Sequence, residues 1–182
     1  MPIKCLWLII AFVIVLFMLF GNKKVRIFSV LVEQLQVFKN AKTDKFSFWD
    51  FMCFIIMPVG LAVVIVYGVE VVVDDELAGI LTTVFSLVFT VLFGFAAILV
   101  GKIDSKNPIE KQVVEETFVS IISATLLSLI SVILSIIVIT INSTTTLPIF
   151  SLFIFSISFI TVMLLLLIIK RTFIVYSNGK NK

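Results

Sequence analysis

The residues able to do chemistry in this chain are few and of two kinds. Hydroxyls recur along two apolar stretches, as Thr83, Ser86 and Thr90 in ILTTVFSLVFTVLFGF and as Ser120, Ser123, Ser128, Ser131 and Ser135 in VSIISATLLSLISVILS. Carboxylates gather at Glu70, Asp74, Asp75 and Glu76 in GVEVVVDDEL, and again at Glu115 and Glu116. Hydroxyls at helical spacing let helices pack closely or line a wet path. Acids collected around an axis would concentrate cations at a pore mouth. The adjacent glutamates are poorly built for acid and base work, because neighbours on a helix point about 100° apart.

Absences narrow the chemistry further. The chain has no histidine, which removes the commonest general base and metal ligand. Cys5 and Cys53 lie in or beside apolar runs, a placement that suits small buried hydrophobes better than a disulfide frame or a metal site. No nucleotide-binding glycine loop is present, and no apolar run holds a central acid or base for proton relay. The expectation is a protein that is not an enzyme and that uses neither cofactor nor metal.

These residues must be positioned by membrane helices. Of the residues 61% are hydrophobic and 14% charged, with mean hydropathy +1.27, against roughly 45 to 50% apolar and roughly 25% charged in soluble domains. A bilayer core about 30 Å thick takes about 20 apolar helical residues. The predicted spans are 3–20, 51–73, 78–100, 118–141 and 147–169, in one all-helical membrane domain over 1–182. No small-residue cleavage pattern follows the first run, and Lys23, Lys24 and Arg26 come just after it, which argues against a signal peptide. An interfacial or half-inserted first segment, leaving four spans, is the alternative.

Threading five spans puts every lysine and arginine except Lys4 on one side. By the positive-inside rule that side is the cytoplasm, with the N-terminus outside and the C-terminus inside, as expected of a multi-pass protein of a cell's inner membrane.

The loops on that side look organised. In 24–38, KVRIFSVLVEQLQVF, apolar residues recur at helical spacing. Its bland reading is an amphipathic helix on the inner leaflet, each cation worth about 1 kcal/mol near anionic lipid. Its sharper reading is a dock for a cytosolic protein partner, with Lys23, Lys24, Arg26, Lys111, Glu115 and Glu116 as contacts. Ser47 and Asp50 suit a capping box at the start of the second span. Pro58 and Gly60 within that span make a candidate hinge. At its far end Asp74 or Asp75 can cap the third span, leaving Glu70 and Glu76 as further members of a candidate acidic ring.

On a helical wheel Gly79, Thr83, Ser86, Thr90, Gly94, Ala97 and Gly101 fall in one sector about 80° wide. Leu81, Val88, Leu92 and Leu99 lie opposite and are expected to meet lipid. Ser120, Ala124, Ser128, Ser131 and Ser135 share a sector of about the same width on the fourth span. Mutual packing of the two stripes is the expectation favoured here, and a hydrated lining in a homo-oligomer is the alternative. Asn107, Pro108 and Glu110 signal a helix start, so the fourth helix, from 108 to 141, reaches about 51 Å. Its first turns, 108–117, should stand beyond the hydrocarbon as a stem. The tail after Lys170 is expected to fray.

The runs WDFMCFIIMPVGLAVVIV, ILTTVFSLVFTVLFGF and IEKQVVEETFVSIISATLLSLISVIL resemble small multi-span proteins of bacterial antiphage defence operons, above all the membrane component of Hailong-type systems. The resemblance covers roughly Phe48 to Leu134, is one of pattern, and carries over no functional residue. It implies a membrane effector controlled by a cytosolic partner or its nucleotide product and acting by ion flux. A non-conducting anchor that recruits a soluble enzyme through its inner loops is the other reading.

Overall fold

The computed structural model describes residues 27–37, 47–100, 108–140 and 146–180. They form five helices: α1 (Ile27–Val37), α2 (Phe48–Gly68), α3 (Asp75–Val100), α4 (Pro108–Thr140) and α5 (Leu147–Lys180). Four of these, α2 to α5, are long and apolar enough to cross a membrane. The expected first span, 3–20, lies outside the described residues, as do Lys23, Lys24 and Arg26.

Local sequence explains the helix ends. Ser47 accepts the Asp50 N–H at 3.4 Å and opens α2. Two π-helical stretches, Met52–Ile56 and Val64–Gly68, flank the regular turns Met57–Val63. The first lies just ahead of Pro58, whose ring would otherwise press on the carbonyl four residues back. The second closes the helix at Gly68, short of the expected 73, with the Val69 and Val71 N–H groups reaching back to Val64 and Ile65. Glu70 then takes φ 60°, a left-handed turn that a run of valines read as continuous helix does not announce. Asp74 Oδ1 accepts the Leu77 N–H at 2.8 Å and caps α3.

Neighbours in sequence are not all neighbours in space. α4 is the central element, packed between α3 and α5, while α2 packs on α5. The connection after α2 brings Val73 over α5, where its N–H donates to Ser151 Oγ at 2.8 Å. The burial follows this order: 39% and 33% of the apolar windows of α4 and α5 are buried, against 17% for α2 and for α3. Two apolar clusters hold the bundle. One joins Leu92, Leu99, Val114, Ile121, Ala124, Leu164 and Ile168, and the other joins Val73, Ala78, Val138 and Ile154.

Those clusters correct one expectation. Leu92 and Leu99 are buried against α4, and Leu81 and Val88 pack on the same clusters, whereas Thr83, Ser86, Thr90, Gly94 and Ala97 of the small-residue stripe face outward. A bilayer makes no distinction in hydrophobicity between leucine and lipid tails, so apolar bulk alone does not say which face is inside. The tail expected to fray is helical, α5 continuing to Lys180. α1 packs on α4.

Candidate functional site

The described bundle has two chemically distinct ends. At the hairpin end, between α2 and α3, Glu70, Asp74, Asp75 and Glu76 are all exposed. Asp74 is engaged as the α3 cap, so that one acid has a structural task. At the stem end Arg171 of α5 meets Glu116 of α4, Nη2 to Oε2 at 3.1 Å. Arg171 Nη1 also donates to Ser120 Oγ at 3.4 Å. One turn earlier on α4, Lys111 pairs with Glu115 at 3.8 Å on the open face. A planar guanidinium holding a carboxylate and a hydroxyl at once fixes two helices in register.

Register follows from two fixed points. Ser120 lies at Arg171, and Val138 packs with Ile154. The intervening lengths are about 27 Å on α4 and about 26 Å on α5 at 1.5 Å per residue, so the helices run antiparallel in step. Ser131 and Ser135 of α4 therefore lie level with the stretch of α5 that holds Ser158 and Thr161, and Ser151 lies level with Thr140, the last residue of α4.

Both predicted hydroxyl stripes can now be placed. Ser120, Ser128, Ser131 and Ser135 are wholly buried, with Ala124 and Ser123 beside them. Thr83, Ser86, Thr90 and Gly94 are exposed on the outer side of α3. The two stripes do not meet, and the expected mutual packing is replaced by leucine and isoleucine contacts between α3 and α4. Thr83 and Thr90 donate to their own helix, at Gly79 O (3.1 Å) and Ser86 O (2.9 Å). Such bonds neutralise a hydroxyl toward lipid and leave the surface smooth.

Hydrogen bonding within the buried face is uneven. Ser120 donates to Glu116 O at 3.0 Å and Ser128 to Thr125 O at 2.8 Å. On α5, Ser151, Ser158 and Thr161 donate to the carbonyls four residues back at 2.8, 2.6 and 2.8 Å. Ser123, Ser131 and Ser135 have no hydrogen-bond partner for their buried Oγ atoms. Gln34 of α1, 6% exposed, has neither amide atom paired.

Of the remaining predicted residues, Pro58 is buried and Gly60 exposed. A Cβ at Gly60 would meet nothing within 4 Å, so close approach is not what selects glycine there. Cys53 is a half-buried free thiol, and Cys5 lies outside the described residues. No cluster of acids or cysteines among the described residues is placed to hold a metal ion. An apolar groove of about 540 Å³ runs between α3 and α5, walled by Leu87, Val91, Phe95, Leu165, Ile169 and Phe173, and has the lining of a lipid-facing furrow.

Arg171 belongs to none of the residue groups that spacing or charge singles out in the sequence. The available signal was an acid and a base, Glu116 and Arg171, at the same boundary of two spans of opposite direction. Comparison of the chain with protein-family models, with curated proteins and with solved structures finds no match.

Proposed function

We propose that the chain is a non-conducting membrane anchor that presents its stem end to a soluble partner in the cytoplasm. The observation that carries this reading is α4 itself. It is one uninterrupted helix of 33 residues, about 50 Å long, and outruns the bilayer core by about 20 Å. Its first turns carry Lys111, Gln112 and Glu115 on an exposed face, with Val114 and Thr117 buried behind them. α1 packs against the same helix, and the loops threaded on the stem side hold nearly all the basic residues. The serine face of α4, for which a hydrated lining is the alternative reading, is closed inside the single chain, as suits an anchor.

The test is recruitment. Tagged protein purified from its own cells with the membrane fraction should bring a soluble protein with it, and the charge reversals Lys111→Glu and Glu115→Lys should release that protein while leaving the anchor in the membrane. Recovery of the anchor alone from cells that express its neighbouring genes would refute the reading.

A second reading rests on the outward stripe of α3. Thr83, Ser86, Thr90 and Gly94 are free to meet a second copy, as in close-packed membrane helix pairs. In it, copies assemble about α3 into a channel or membrane-perturbing effector of antiphage defence, gated by the cytosolic partner, with the acidic residues around its outer mouth. Conductance in planar bilayers with the partner present, abolished by Thr90→Leu, would decide for it.

A further inference from the structure

The unpartnered hydroxyls of α4 bear on a pathway inside one chain, distinct from any interface between copies. Ser123, Ser131 and Ser135 are wholly buried and donate to nothing. At the level of Ser131 and Ser135, Ser158 and Thr161 of α5 already donate to their own helix and retain only acceptor lone pairs. There the unused donors of Ser131 and Ser135 lie level with unused acceptors, and none of the described bonds joins them across the two helices. Water is the molecule that both donates and accepts, and it would complete both sets. The buried atoms have no free surface, so no water fits while the helices are closed.

The geometry points to a closed water pathway between α4 and α5, latched at the stem end by the Arg171–Glu116 pair. Three features define it. The hydroxyl face from Ser120 to Ser135 is about 22 Å long, most of the roughly 30 Å hydrocarbon thickness. The Arg171 guanidinium, bound to both Glu116 and Ser120, ties α5 to α4 at the first hydroxyl of that face. At the other end Val73, Val138 and Ile154 close it with an apolar plug, pinned by the bond from Val73 to Ser151. Parting the helices exposes the unused donors of Ser131 and Ser135 to water, a return that an interface of leucines would not offer. The pathway needs neither a partner protein nor a second copy.

Thiol reactivity reads the seam directly, because a cysteine reacts with silver ion or a charged methanethiosulfonate only where water reaches it. In the full chain carrying Cys5→Ala and Cys53→Ala, held in native membranes, Ser131→Cys and Ser135→Cys should react slowly while the latch is intact. Adding Arg171→Gln should accelerate both by about tenfold, the factor that about 1.4 kcal/mol produces. Arg171→Lys, which keeps the charge opposite Glu116, should restore most of the slow rate. Ile133→Cys, on the outward side of the same helix, should stay unreactive throughout. Rates that ignore Arg171→Gln, fast labelling with the pair intact, or equal acceleration at Ile133→Cys would each overturn the inference. The first would mean that the serines turn back onto their own carbonyls, and the last that the bundle has loosened as a whole.

Discussion

Two stripes of small and hydroxylated residues, one buried and one exposed, should answer substitution by leucine in opposite ways. Ser128→Leu adds two heavy atoms where the side chain is wholly enclosed and removes a hydroxyl bonded to Thr125 O at 2.8 Å. The lost bond matters little, since the carbonyl keeps its helical donor. The added bulk must instead push α4 from its neighbours or force poor rotamers, an overpacking cost of about 1 to 3 kcal/mol. Thr90→Leu makes a similar change on a surface open to lipid, where the expected change is within about 0.5 kcal/mol. At about 1.4 kcal/mol per tenfold, Ser128→Leu should lower the folded-to-unfolded ratio by roughly 5-fold to 100-fold, and Thr90→Leu by less than about threefold. Reversible unfolding in mixed micelles, at a protein concentration low enough to keep copies apart, measures both. Equal losses, or a larger loss for Thr90→Leu, would refute the assignment of inside and outside.

Three further outcomes are expected. A double-mutant cycle on Glu116→Gln and Arg171→Gln should give a coupling of about 1 to 2 kcal/mol in the same unfolding assay, because side chains 31% and 16% exposed lie between the surface and buried limits for ion pairs. Asp74→Ala should cost about 1 kcal/mol through the lost cap on α3, whereas Asp75→Ala and Glu76→Ala, exposed and without such a bond, should stay within about 0.5 kcal/mol by the same measurement. Glu70→Gly should raise stability by about 0.5 to 1 kcal/mol, since glycine accepts φ 60° without the strain of a side chain.

Much of the fold could be read from composition, and the parts that could not share a physical cause. Hydropathy alone marks α2 to α5, because a helix across hydrocarbon needs an unbroken apolar run. The cap chemistry of Ser47 and Asp74 is local and shows in the residues themselves. What hydropathy does not encode is the direction of each face: Leu92 and Leu87 are equally apolar, yet one is buried and the other open. In water their difference would be enforced by solvent, but lipid accepts either. The break at Gly68 was hidden for a similar reason, as Val69 to Val73 look like more of the same span. Spacing grouped the hydroxyls of α4 correctly as a face. Their uneven bonding, and the link from Ser120 through Arg171 to α5, depended on a tertiary pairing 51 residues apart in sequence.

The length and continuity of α4 make it a lever as well as a span. Its tie to α5 at Glu116 acts as a fulcrum. The arm from Pro108 to that point is about 12 Å, and the arm from it to Ser135 about 28 Å. A sideways push of about 1 Å on the tip of the stem, transmitted by a stiff helix, would swing the far end of the serine face by about 2 Å. A protein seated on the stem could thus move the interior of the membrane segment without entering the bilayer.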